Sequence, residues 1–414
     1  MARFFVFFSS LAVCLGLFFL PQRGFSELIK VPGFTLKIAL KINDLQAGRH
    51  TFPNTPEFLS GKYAPKAVEA RSQKRAEQAI AVLQEWYDEE SGIWNTTSWW
   101  NAANAITSLA QYTKYTGSRK YMPVIRNTFA KTRHFPVEAS ADRPAWVCHN
   151  YLNDYYDDAG WWALAWLDVY ELDPDTAYLN VAKIIFADMA GGWDEVCGGG
   201  TYWKKPDIGK GAISNGLLLN VALRLWEQEP DEKVQGLSYQ QWAYRIWEWF
   251  RASGMISPDN LILNGLKYRE DCSPHGTPWT YNQGVMVGAL TIFYQQTQDS
   301  SYLHQAEAIA EATMATLVHP NGVLRDQNEA NSNGDQIQFK GIFMRYLGRL
   351  YETSPKPEYA AFIRKNARSI WKIARDRKTG RIGTSWALPF DEGSAARQSS
   401  AVDALNGMIL VDAK

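Results

Sequence analysis

Asn153-Asp154-Tyr155-Tyr156-Asp157-Asp158-Ala159-Gly160-Trp161-Trp162-Ala163-Leu164-Ala165-Trp166-Leu167-Asp168-Val169-Tyr170 is the stretch from which the rest of the chain can be read. Trp161, Leu164, Ala165 and Trp166 recur at helical spacing, with Asp168 on the other side. Asp157 and Asp158 therefore stand in or just before the first turn of a helix. An aspartate there is a good N-cap and suits the helix dipole. One cap needs only one carboxylate, however, and here Asp154, Asp157 and Asp158 crowd together with Tyr155 and Tyr156. An acidic pair among aromatic rings suits glycoside hydrolysis, which needs a nucleophile or base, a general acid and flat apolar faces against sugar rings.

The same small-residue-centred opening recurs along the chain. Trp99-Trp100-Asn101-Ala102-Ala103, Asp157-Asp158-Ala159-Gly160, Ile213-Ser214-Asn215-Gly216, Tyr281-Asn282-Gln283-Gly284, Phe339-Lys340-Gly341 and, more weakly, Ser399-Ser400-Ala401 each begin an apolar run. Anchored at Ala103, Gly160, Gly216, Gly284, Gly341 and Ala401, the steps are 57, 56, 68, 57 and 60 residues. A more polar amphipathic segment precedes each anchor, at 66–87, 120–134, 178–190, 238–254, 301–318 and 357–375. Six hairpins with apolar inner and polar outer helices predict an all-α fold, an (α/α)6 barrel. The inner helices would begin at one end, so the side chains of those loops would converge on one cavity. Strand signals are sparse; Gly322-Val323-Leu324-Arg325 is expected to form a short hairpin at the rim.

That cavity end collects Trp99, Trp100, Asn101, Tyr155, Tyr156, Asp157, Asp158, Asn215, Tyr281, Asn282, Gln283 and Lys340. Amides and phenols can bond sugar hydroxyls, aromatic rings can stack on sugar rings, and two carboxylates can break a glycosidic bond. Asn215 and Asn282 also read as helix caps. Gly198-Gly199-Gly200-Thr201-Tyr202-Trp203 lacks the Lys-Ser/Thr continuation of a phosphate loop and reads as a tight turn presenting Tyr202 and Trp203.

Composition narrows the partners. Lys and Arg total 43 and Asp and Glu total 43 in 414 residues, so no net charge favours nucleic acid. Seventeen Trp and twenty Tyr are the outlier, suited to a core and to a sugar groove. Arg3 followed by the apolar run Phe4 to Leu20, with small residues before a cut after Ser26, predicts a leader over 1–26 and export, with an uncleaved N-terminal membrane anchor as the alternative. Residues 27–63, with Pro32, Pro53 and Pro56, read as a lead-in, and 64–414 as the catalytic domain. No lipid-anchor tail follows, and no stable membrane insertion is expected. Cys148, Cys197 and Cys272 can form one disulfide, and their spacing does not say which. Neither they nor the scattered histidines suggest a metal, and no motif implies a cofactor.

Five motifs in order then carry a resemblance: Asp157 to Trp166, Cys197 to Trp203, Ala212 to Gly216, Trp279 to Gly284, and Phe339 to Phe343. Together they resemble glycoside hydrolase family 76, the α-1,6-mannanase family, over roughly 66 to 390. The resemblance implies an (α/α)6 fold and retaining endo-hydrolysis of α-1,6-mannan, with Asp157 as nucleophile and Asp158 as acid/base. It also implies a mannan or other α-mannose-containing glycan as partner; the chain is taken as a monomer. Fungal members that transglycosylate mannose-containing anchors are the alternative reading, and a non-catalytic glycan binder is a second. Retention needs carboxyl groups about 5–5.5 Å apart. Successive residues of a regular helix diverge, so Asp157 is expected just outside the helix and Asp158 in its first turn. A sugar epimerase would lean on histidines that the cavity segments lack, and a uronate lyase would need more cations than Lys340.

Overall fold

The segments that open on small residues fold as long helices buried on every side, and the polar segments before them fold as a sheath. In the computed structural model, which describes residues 30–31, 34–35, 67–137, 146–327, 329 and 334–414, outer and inner helices alternate. They are α1 (Ala67–Gln84), α2 (Trp99–Thr116), α3 (Met122–Thr132), α4 (Tyr156–Leu172), α5 (Thr176–Gly191) and α6 (Ala212–Gln228). The second half adds α7 (Tyr239–Ala252), α8 (Thr280–Thr297), α9 (Ser300–Thr316), α10 (Gln336–Thr353), α11 (Pro357–Ser369) and α12 (Ala395–Ala413). The even-numbered helices are the inner ones. In α6 the run from Ala212 to Leu225 is buried without a break, the mark of a helix enclosed by others. On the outer α7, Trp242, Ala243, Ile246 and Trp247 face inward.

The inner helices close a ring: α2 packs on α4, α4 on α6, α6 on α8, α8 on α10, α10 on α12, and α12 returns to α2. The fold is thus the six-hairpin helical barrel that the repeat predicts. Small anchors set the ring's radius. A Cβ at Gly284 would lie 2.7 Å from the Phe343 Cα, and one at Gly341 2.5 Å from the Ser400 Cα, so backbones touch where no side chain fits. Most tryptophans are core; Trp94, Trp162, Trp166, Trp242 and Trp386 are almost wholly enclosed. Trp161 and Trp162 diverge as adjacent helical residues must. Trp161 turns inward to Trp100, centroids 6.0 Å apart, whereas Trp162 packs on Trp166 at 5.6 Å.

Connections into the inner helices are long (191–212, 252–280, 316–336) and those out of them short (172–176, 297–300, 353–357). The long ones build the rim at the inner helices' N-termini. One three-stranded antiparallel sheet of β1 (Lys210–Gly211), β2 (Gly265–Leu266) and β3 (Pro274–His275), with β2 in the middle, ties the α6 and α8 entries together. The Cys197–Cys272 disulfide joins the same two loops. The expected hairpin forms as a single bridge between Val318 and Leu324. At the far end, where helix C-termini concentrate partial negative charge, cations gather. Arg224 pairs with Asp168 at 2.8 Å and Glu171 at 2.6 Å, and Arg345 pairs with Asp403 at 2.7 Å, around a cavity of about 40 Å³. Burial opposes ionisation of Glu171, but Arg224 and Lys114 hold its carboxyl down at about 2.

The chain divides into two compact units, Met1–Lys62 and Tyr63–Lys414. In the first, Lys30–Val31 pairs antiparallel with Phe34–Thr35. The expected leader over 1–26 lies outside the described residues. Among those described, no helix is long and apolar enough to cross a membrane.

Candidate active site

The entry to α4 is stitched to the glycine-rich turn. The Tyr156 amide donates to the Trp203 carbonyl (3.0 Å), and the Lys205 amide to the Asp154 carbonyl (2.8 Å). The turn itself needs glycine: Gly200 has φ 90°, and a Cβ there would collide with the Trp249 ring. Thus fixed, Trp203 extends its indole N–H to Asp157 Oδ2 at 3.0 Å. Asp157 Oδ1 is buried without a hydrogen-bond partner. Asp158 Oδ2 accepts from Asn153 Nδ2 at 2.8 Å, and Asn153 Oδ1 in turn accepts the Tyr155 amide at 2.9 Å.

Burial governs both acids. Asp157 is pushed up to about 7 by desolvation, against the Trp203 donor and the helix amides that favour its charged form. Asp158 is raised well above the usual carboxylate range by burial and then by the charge of Asp157. Because the charge of Asp157 raises Asp158, the pair favours holding a single proton, an acid and a base side by side.

The facing wall is aromatic. Trp100 lies 6.0 Å from Trp161 and 6.4 Å from Phe339, and Tyr281 stacks on Phe339 at 3.8 Å with planes 7° apart. The Tyr281 phenol is held protonated by burial and by the charges of Asp157, Asp335 and Asp326. The Trp100 indole donates to Asp335 Oδ1 at 2.9 Å.

The structure divides the expected site residues. Asp157, Asp158, Tyr155, Trp100 and Tyr281 gather at the cavity end, with Tyr155 against Trp203 at 5.0 Å. The helix begins at Tyr156, so Asp157 lies inside it rather than just outside; both acids belong to the first turn. Trp99 packs behind, on Tyr151 and Trp162. Tyr156 is buried beneath the Lys205 ammonium, 4.8 Å from its ring, and fills the space beside Gly192. The amides expected to meet sugar mostly serve the backbone instead. Asn215 bonds both the Thr201 amide and carbonyl, Gln283 both those of Ile262, and Asn101 the Ser98 amide. Asn282 donates to Asn264 and keeps a buried Oδ1 without a partner. Tyr202 turns from the acids to donate to Asp194 at 2.7 Å, because successive residues of an extended segment face opposite ways. Lys340 is buried, pairs with Glu329 and donates to the Thr384 carbonyl at 2.7 Å; it anchors loops rather than facing the acids. Burial pulls its ammonium down to about 7.

Asn153 and Asp335 escaped the sequence reading as site residues, and Trp203 entered it only as the neighbour of Tyr202. Only Trp203 left a signal, its place in the glycine-rich turn. Among the described residues no three His, Cys, Asp or Glu side chains converge as a metal site.

A closed ring of helical hairpins with a buried aspartate pair in an aromatic cleft defines a protein of the glycoside hydrolase class. Residues 71–414 match the pattern of glycosyl hydrolase family 76, and the chain belongs to that family. Mannan endo-1,6-alpha-mannosidase DCW1 of Candida albicans is 27% identical over 285 residues, 63% of this chain and 60% of that protein. The DFG5 protein of the same name and organism is 24% identical over 342 residues, 75% of this chain and 72% of that one. The match to DCW1 therefore spans about 60% of that relative's length. The GH76A α-1,6-mannanase of a Salegentibacter species superposes with TM-score 0.70 at 26% identity, covering 82% of this chain and 99% of that one. An inactive variant of that mannanase, with two consecutive aspartates replaced by alanine and α-1,6-mannotetrose bound, is 25% identical with TM-score 0.70, at the same coverage of 82% and 99%.

Proposed function

We propose that this protein is an exported, retaining endo-α-1,6-mannanase whose catalytic domain is 64–414, freed of a leader over 1–26. The observation that carries the reading is the buried Asp157–Asp158 pair, Asp157 accepting from Trp203 and Asp158 from Asn153, in an aromatic cleft. It is the one Asp-Asp dipeptide of the sequence, and the inactive mannanase variant lacks two consecutive aspartates. Asp157 attacks the anomeric carbon while Asp158 gives its proton to the departing glycosidic oxygen, leaving a mannosyl ester on Asp157. Asp158, now ionised, takes a proton from water, whose oxygen displaces Asp157 from the anomeric carbon and releases the sugar with its configuration retained. The Trp203 N–H stabilises Asp157 as an anion before attack and again as the leaving carboxylate. Tyr155, Trp203, Trp100 and Tyr281 supply the faces and edges that hold sugar rings.

The test is incubation with an α-1,6-mannan backbone, with products followed by chromatography and anomeric-proton NMR. Short oligosaccharides released in the α configuration are expected. Re-linked, longer products would instead mean that a sugar hydroxyl replaces water in the second step. Asp157→Asn and Asp158→Asn are each expected to lose at least about a thousandfold in kcat. Near-normal turnover in both would end the assignment. Activity should fall below about pH 7 as Asp157 takes up a proton, and fall again at higher pH as Asp158 loses its own.

A further inference from the structure

Asp335 stands at the N-cap of α10, where an aspartate ordinarily turns back to accept the amides of the first turn. Its side chain makes no such cap. It reaches across to the α2 helix instead, accepting the Trp100 indole at 2.9 Å through Oδ1. Trp100 lies 6.0 Å from Trp161, which is one helical turn beyond Asp157 on the same face of α4. A carboxylate that forgoes its own helix to stand exposed above this cleft, with its second oxygen uncommitted to the indole, has a place for a ligand's donors. Asp157 Oδ1 and Asn282 Oδ1, both buried and unpartnered, are further acceptors among the entries to the inner helices. We propose that Asp335 is a substrate-positioning carboxylate: anchored on Trp100 through one oxygen, it receives through the other the hydroxyl donors of a mannosyl unit bound beside Asp157 and Asp158.

This inference rests on the mannanase reading for the identity of the sugar. A carboxylate suits vicinal hydroxyls, because two acceptor oxygens in one plane can take two donors, and charged acceptors bond more strongly than amides. The same charge bears on the acids: after burial, which dominates all three, Asp335 raises Asp157, Asp158 and Tyr281 alike, beside the charge of Asp157 on Asp158 and Tyr281 and that of Asp326 on Tyr281.

Asp335→Asn tests the idea, since the amide oxygen can still accept from Trp100 while the charge is gone. Binding of α-1,6-mannotetraose, measured by calorimetry on the full chain, should weaken roughly ten- to a hundredfold. The alkaline limb of the kcat/KM profile should move to lower pH, because removing a neighbouring negative charge lets Asp158 ionise sooner, and the displacement should shrink in high salt. A fold defect would scale activity without moving the limb along the pH axis. Wild-type affinity together with an unmoved limb in Asp335→Asn would overturn the proposal, as would wild-type protein that binds no mannotetraose. Failure of the mannanase reading shows separately, as tetraose binding without turnover in the wild type; the affinity of Asp335→Asn then still decides whether Asp335 holds the sugar.

Discussion

Trp203 shows how much one side chain of the cleft carries. Its N–H is the side-chain donor to the Asp157 carboxylate, and it works against the burial that lifts Asp157 to about 7. Trp203→Phe keeps much of the ring against Tyr155 and deletes the donor. A hydrogen bond to the charged form lowers a carboxyl's proton affinity, so its loss raises that affinity. The acid limb of the activity profile should therefore shift to higher pH, with kcat/KM down about tenfold or more near neutrality. A pH series of initial rates checks both. The turn was readable in the sequence from its three glycines. Which of Tyr202 and Trp203 faces the acids was not, because that follows from how 201–209 pairs with 154–156.

At the level of elements, the inner helices answer to opposing demands. Each must be enclosed on all sides with most of its polar groups paired, and each must approach its neighbours closely where the ring narrows. Gly284 meets the second demand, facing the Phe343 Cα, the Ile342 carbonyl oxygen and the Phe343 amide nitrogen. Gly284→Ala would gain about 1 kcal/mol of helix propensity. It should nonetheless destabilise the protein by about 1–2 kcal/mol net, since a backbone cannot yield as a flexible side chain can. Urea or thermal unfolding measures this, and a stabilised variant would mean that the α8–α10 contact is looser than the geometry indicates. The helices were legible for the same reasons. The outer segments at 66–87 and 238–254 appear as Ala67–Gln84 and Tyr239–Ala252. What the helical pattern left open is that Asn215 and Gln283 at the inner entries bond the backbone of the long loops that return over them. Ile262, which occupies both ends of the Gln283 amide, is 21 residues away in the chain.

Across the whole molecule, ring closure depends on the last helix. Asp403 of α12 accepts from Ser108 of α2 at 2.7 Å and pairs with Arg345 of α10, joining the last inner helix to both of its neighbours in the ring. Burial raises Asp403 to about 6 although Arg345 and Ser108 favour its charge. Arg345→Met would strand that carboxylate, at a cost of about 3–5 kcal/mol at pH 8. Without the guanidinium the folded-state proton affinity of Asp403 rises further above its unfolded value. The variant should therefore regain stability as pH falls from 8 toward 5, where the folded carboxyl is protonated and the unfolded one is still ionised. Denaturation midpoints at the two pH values decide the matter.

The sequence alone determined the layering of this protein and singled out its aspartate pair. A helix enclosed on all sides is predominantly apolar, with most of its polar side chains paired, and a repeat of such helices leaves a period in the chain. Two adjacent carboxylates at the start of a tryptophan-rich helix exceed what capping requires. The tertiary structure alone decided which partners surround those carboxylates. Trp203 lies 46 residues from Asp157, and Trp100 lies 235 residues from Asp335. Contacts at such separations are set by how the ring closes, and proton affinities follow from that closure because burial is a property of the assembled cleft, not of the residues that line it.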